Sequence, residues 1–183
     1  GAVCPFMDGG TFYDNGLYKK VLSEADDDGV IVITIGMLNT VWFAYESCSE
    51  LFDKKVHAII PMAAEYRKGH EYNIFCHAEA AKAFCSGYNG NVLFSGFELG
   101  VDIFTGFEAE NSSDPFVKAY ELYCDGKFIR NSWDLVTVMF AVFGTEKYFG
   151  LTETGKVIIS DNVARINGCA FTDCDSMQSI TIL

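Results

Sequence analysis

The sequence predicts an α/β protein: a mostly parallel open sheet with flanking helices, truncated at its N-terminus and ending in a small antiparallel β appendage. Three observations carry this reading. The runs VIVITIG (Val30 to Gly36), VHAIIPMAA (Val56 to Ala64) and NVLFSG (Asn91 to Gly96) are apolar or β-branched nearly throughout, as strands buried on both faces are. Helix-forming stretches separate them, and such alternation is the signature of a parallel sheet. The 183 residues are 50% apolar with a mean hydropathy of +0.16, enough for one domain with a sizeable core.

Each element has its own signal. Asn15 to Ala25 reads as a helix capped by Asp14, with Leu17, Val21 and Ala25 at four-residue spacing. ADDDG (Ala25 to Gly29) ends it as a solvated turn; the alternating ligands and distant Glu of a calcium loop are not there. LNTVWFAYESC after the first strand has helical potential. A helix follows from about His77 to Ser86, with His77 at its start and Glu79 in the first turn, where an acid complements the helix dipole.

Beyond Gly96 the pattern changes. FELGVDIFTG reads as a short helix. Asp114 and Pro115 open another with a strong start signal, and Phe116, Ala119, Tyr120 and Tyr123 share one face of it. SWDLVTVMFAVFG is a helix capped by Ser132 and ended by Gly144, with Leu135, Val138, Met139 and Val142 on one stripe. The short β-like runs KVIIS, VARING and SITIL form the appendage. The expected division is a single domain over 1–183: a βαβ core over 1–96, a helical segment over 97–147 and the appendage over 148–183.

Composition excludes several classes of function. The 13 basic residues are scattered among 25 acidic ones, for a net charge of −12, so no basic surface suits a nucleic-acid backbone. No run is long enough for a membrane span. The opening GAVCPFMDGG has no basic n-region; it reads as the middle of something, and the expectation is a fragment or a processed product. The seven cysteines contain no CxxC pair, which argues against zinc. They read as free thiols in a reducing intracellular compartment, with a Cys169–Cys174 disulfide left open.

Ligands of open parallel sheets sit beyond the carboxyl ends of the strands, which directs attention to TIGMLNT, PMAAEY, SGFELG and the loop KGHEYNIFCHAEAA. If the last runs extended, Glu71 and Asn73 share one face. A carboxylate beside an amide suits a ligand rich in hydroxyls. From the residues alone, the ordinary reading is that Glu71 is a solvated loop residue and Asn73 a turn cap. Asp134 opens an apolar helix; it either complements the helix dipole or offers an oxygen to a hard cation. GxGxxG, Walker, GxSxG and HExxH motifs are absent, and His57, His70 and His77, the only histidines, do not form a nucleophile–base pair in the sequence.

In order along the chain, these segments resemble the inosine–uridine preferring nucleoside hydrolases. HEYNIFCHAEAA is similar to that family's AEFN…DPEAA segment. DNGLYKKVLSEADDDGVIVITIGMLNT looks like its helix, strand and GPLTN turn, and VHAIIPMAA like its VVMGG strand. NVLFSGFELG and NSWDLVTVMFAV look like its later strand and its HDP or SWDQ helix, the second form belonging to a divergent branch. The resemblance covers nearly all of the chain. It implies a nucleoside-hydrolase-like, Rossmann-like core and calcium-dependent cleavage of the N-glycosidic bond of ribonucleosides. It places Glu71 and Asn73 on the ribose hydroxyls, with Met62 and Trp133 beside the substrate. It makes Asp134 a calcium ligand through its carboxylate and Ile35 one through its backbone carbonyl.

The departures are as specific. The family's Asp-rich DxDxxxDD strand, the source of most calcium ligands and of the catalytic base, has no match here. Its MGG is Met62-Ala63-Ala64, the His before its helix Asp is Trp133, and GPLTN is GMLNT. One carboxylate and one carbonyl do not hold calcium tightly, so the expectation is a chain inactive in isolation. A sheet that lacks its first strands also has an open edge. The expected partners are therefore a ribonucleoside, if the site is active, and a protein or second chain on that edge. The alternative is a non-catalytic, hydrolase-derived subunit that binds a partner through this edge and its aromatic surface.

Overall fold

The computed structural model describes residues 16–65, 70–106, 114–126, 128–144, 149, 153–154 and 180–182. Their elements, in chain order, are α1 (Gly16–Glu24), β1 (Val30–Thr34), α2 (Asn39–Lys55), β2 (Val56–Pro61), α3 (Tyr72–Phe75), α4 (Ala78–Gly87) and β3 (Val92–Phe94). After these come α5 (Phe97–Val101), β4 (Phe104–Gly106), α6 (Pro115–Tyr123), β5 (Ile129–Asn131), α7 (Trp133–Phe143), β6 (Glu153–Thr154) and β7 (Ile180–Ile182). The main sheet has the order β1-β2-β3-β7-β6, and β4 and β5 form a second, antiparallel pair. β1, β2, β3 and β7 run parallel, as the β-branched runs predict; β6 is antiparallel to β7.

Side chains alternate across the sheet. Val30 and Val32 pack with Ile59, Val92 and Phe94 against α1, α2 and α4, in a core holding Leu22, Phe52 and Phe84. Tyr45 meets Phe52 and Tyr88 edge-on, with centroids 5.8 Å and 5.0 Å away. Ile31 and Ile33 project to the opposite face, where α7 packs on β1 and β2. No described helix is long and apolar enough to cross a membrane.

Several sequence expectations change in detail. The segment after Glu71 is not extended: Tyr72–Phe75 forms one helical turn, so Glu71 and Asn73 do not alternate along a strand. Leu135, Val138, Met139 and Val142 do share a stripe of α7, but it faces outward, while Val136, Thr137 and Phe140 are buried. Ser132 holds the N-cap position without a capping bond; its hydroxyl meets that of Thr105 at 2.5 Å instead. On α6, Asp114 caps Phe116 N–H at 2.8 Å as expected, yet Phe116 and Tyr123 stay exposed. FELGVDIFTG divides into α5 and β4. SITIL supplies β7, which joins the main sheet beside β3. Asp14, KVIIS, VARING and the Cys169–Cys174 pair lie outside the described residues.

Candidate functional site

Backbone hydrogen bonds align the carboxyl ends of three strands. Met62 N–H donates to the Thr34 carbonyl at 2.8 Å, Ser95 N–H to Pro61 at 2.8 Å and Ala63 N–H to Ser95 at 3.2 Å. Ala64 then turns the chain with φ +75°, a left-handed conformation that a residue with a Cβ rarely adopts. Its carbonyl accepts from Phe97 N–H at 2.9 Å, tying the end of β2 to the start of α5.

Glu71 caps α3 from a buried position, with 7% of its surface exposed. It is neither a solvated loop residue nor an open carboxylate. Oε1 accepts from Asn73 N–H at 2.9 Å; Oε2 accepts from Ile74 N–H at 3.0 Å and Ala64 N–H at 3.1 Å. Burial pushes its pKa up, and the amides of Asn73, Ile74 and Ala64 pull against that shift. Asn73 does not cap a turn either. Its side-chain amide donates to the Met62 carbonyl at 2.9 Å and lies 3.4 Å from Met62 Sδ. Met62 itself is buried. The structure therefore brings Met62, Glu71 and Asn73 into one bonded group.

The first turn of α7 comes to the same edge of the sheet through two contacts. Thr137 Oγ1 lies 2.7 Å from Ser95 Oγ, both buried. Trp133 donates from Nε1 to the Phe97 carbonyl at 2.8 Å, and its ring stacks on Phe97 with centroids 5.2 Å apart. Gly100 makes this approach possible: a Cβ there would lie 2.5 Å from Trp133 Cα. Asp134 follows on the exposed side of the turn. Neighbouring atoms still shield its carboxyl in part, which raises its pKa, and the Arg130 guanidinium opposes that. Arg130 stacks over Tyr123 at 4.4 Å from the ring centroid and stands 5.8 Å from that of Trp133. Ile35 follows β1 directly, with its side chain half exposed.

Ser95, Thr137 and Arg130 carry this arrangement without standing out in the sequence. The available signals were slight: a serine ending a buried strand, and a threonine one turn after Trp133 in an apolar helix. His77 holds the N-cap position of α4 without a side-chain cap bond. ADDDG is the solvated turn expected: Asp27 pairs with Lys55 at 2.7 Å and Asp28 with His57 at 3.1 Å. A groove of about 620 Å³ opens between α1 and α2, lined by Lys19, Lys20, Ser23, Glu46, Cys48 and Glu50 among others. It includes none of the candidate residues.

The donor set can be set against calcium. The resemblance offers Asp134 and the Ile35 carbonyl as two oxygen donors, whereas the ion takes six to eight. Among the described residues no group of three or more His, Cys, Asp or Glu side chains stands close enough to hold a metal. These residues do not make a calcium site by themselves.

Among solved structures, the chain is similar to the plant nucleoside hydrolase PpNRh1. The TM-score is 0.63 at 17% sequence identity, covering 91% of this chain and 60% of that one. The fold is thus nucleoside-hydrolase-like, and the chain spans less than two thirds of that protein's length. No family model matches the sequence, and no curated protein matches it.

Proposed function

We propose that this chain carries the sugar-side half of a nucleoside N-ribohydrolase site. In this reading Met62, Glu71, Asn73 and Trp133 form the ribose side. Asp134 and the Ile35 carbonyl are two ligands of a calcium site whose remaining donors come from elsewhere. The supporting observation is the bonded group of Asn73, Glu71 and Met62 at the carboxyl end of β2, where open parallel sheets take ligands. The isolated chain is expected to bind a ribonucleoside without hydrolysing it, since two oxygens neither hold calcium nor generate a metal-activated water.

Titration calorimetry with uridine and inosine tests this reading, alongside a turnover assay with calcium present. The expected result is saturable binding that Asn73→Ala weakens, that free uracil and hypoxanthine do not match, and that occurs without release of base. Equal affinity for nucleoside and free base removes the sugar-side assignment. Measurable turnover by the chain alone removes the incompleteness.

A second reading, a non-catalytic partner-binding subunit, is favoured by the β1 edge. Thr34 directs its carbonyl to Met62, just beyond β2, so the peptide groups of Ile31 and Ile33 point the other way. Among the described residues β1 pairs only with β2. VIVIT carries none of the charges or prolines that guard edge strands. Ile31 is 43% exposed, beside a helix whose Val142 is 68% exposed. A protein covering this edge would serve either reading; only the binding and turnover assay separates them.

A further inference from the structure

Glu71 has a built environment. Three backbone amides converge on its carboxylate, and they belong to two separate segments. Asn73 and Ile74 donate from the first turn of α3, at 2.9 Å and 3.0 Å. Ala64 donates from beyond the end of β2, at 3.1 Å. Thus one side chain closes the connection that leaves β2 and returns as α3. A second strut runs alongside, because Asn73 Nδ2 reaches the Met62 carbonyl at 2.9 Å. The two struts grip the residues on either side of Ala63.

That grip falls where the backbone needs it. Ala64 holds φ +75° with a Cβ present, and such a conformation persists only where surrounding structure over-determines it. Here Glu71 takes the Ala64 N–H and Phe97 takes its carbonyl. A carboxylate offers about four lone-pair sites, and amides already take three of them. The Asn73 amide group is aimed by its bond to Met62.

We propose that Glu71 is a positioning residue: its carboxylate is a clasp that fixes the carboxyl end of β2 and, through α3, the orientation of Asn73. This divides the labour within the sugar-binding reading, with Asn73 meeting the ligand and Glu71 holding the backbone that presents it. The link to the ligand rests on that reading; the clasp does not.

Native-state hydrogen exchange on the full 183-residue chain tests the clasp. In the unmodified chain the Ala64, Asn73 and Ile74 amides are expected to be protected. Glu71→Gln keeps one acceptor oxygen and turns the other into an NH₂ donor, so protection falls at Asn73 or at the Ile74 and Ala64 pair, whichever faces the NH₂, while Ile59 and Ile60 keep theirs. Glu71→Asp is the sharper variant and decides the matter if Glu71→Gln does not fold. A shortened carboxylate still caps α3 but falls short of Ala64, so protection is lost at Ala64 alone. Wild-type protection at Ala64 in Glu71→Asp, or at all three amides in Glu71→Gln, overturns the clasp, as does an unprotected Ala64 in the unmodified chain.

Uridine affinity supplies the functional readout. Glu71→Asp is expected to weaken it about tenfold, because Asn73 is no longer held in its binding orientation. Undiminished affinity in Glu71→Asp with Ala64 exposed shows that the clasp does not orient Asn73. Absence of uridine binding in the unmodified chain defeats the sugar reading and leaves the exchange result to decide the clasp.

Discussion

The hydroxyl of Thr137 lies 2.7 Å from that of Ser95, and both residues are buried. This one contact fastens α7 to the end of β3. The Thr137 hydroxyl also lies 2.9 Å from the Trp133 carbonyl. Its single proton is thus placed to be donated to Ser95 Oγ or to that carbonyl one turn back.

Thr137→Val therefore tests how the first turn of α7 is held. Valine keeps the shape but leaves Ser95 Oγ buried without this partner, at a cost of about 1–3 kcal/mol. Urea unfolding should show a lower midpoint with an unchanged slope. The double variant Ser95→Ala, Thr137→Val should recover part of the loss, because it leaves no orphaned hydroxyl. A single variant as stable as the parent shows that the contact contributes nothing.

Asp134 gives a pH prediction whose sign is fixed by its surroundings. Partial shielding by neighbouring atoms raises its folded pKa above the usual aspartate value, and Arg130 offsets only part of this. The folded state thus binds this proton more readily than the unfolded chain. The contribution of Asp134 to stability is fully present below its unfolded pKa and is lost as pH rises through the folded value. Because the residue is exposed and its charge is screened, Asp134→Asn should melt only slightly above the parent at neutral pH, with the gap closing as pH falls through the aspartate range. A gap that widens toward acid reverses the assignment.

The cysteines separate by environment. Burial pushes the Cys85 thiol up to about 12, whereas Cys76 is exposed after α3. Because the thiolate is the reactive form, a thiol reagent at mild alkaline pH should modify Cys76 in the folded chain and Cys85 only after unfolding. Peptide mapping by mass spectrometry checks the order. Equal rates at the two positions would show that α4 opens readily from the core.

Much of the fold was legible in the sequence because it rests on local patterns. The β-branched runs at Val30, Val56 and Val92 became β1, β2 and β3, and Asp114-Pro115 started α6 where capping chemistry places it. The order of strands and helices, and hence a parallel sheet, followed from these runs. The candidate residues could be located along the chain, and the sequence resemblance named them. What each touches was not legible.

Tertiary structure alone decided those contacts. An apolar stripe at helical spacing shows that a helix has an apolar face, not which neighbour covers it. So Leu135, Val138, Met139 and Val142 turned outward while Thr137, a polar residue, was buried against Ser95. Glu71 reads as a loop acid because its nearest sequence neighbours are polar. It is buried because Ala64, seven residues earlier, turns its amide toward α3. The sequence determined which segments become strands and helices, since propensity and periodicity act over a few residues. The structure decided which of them meet, since burial and hydrogen bonding join residues that the chain keeps apart.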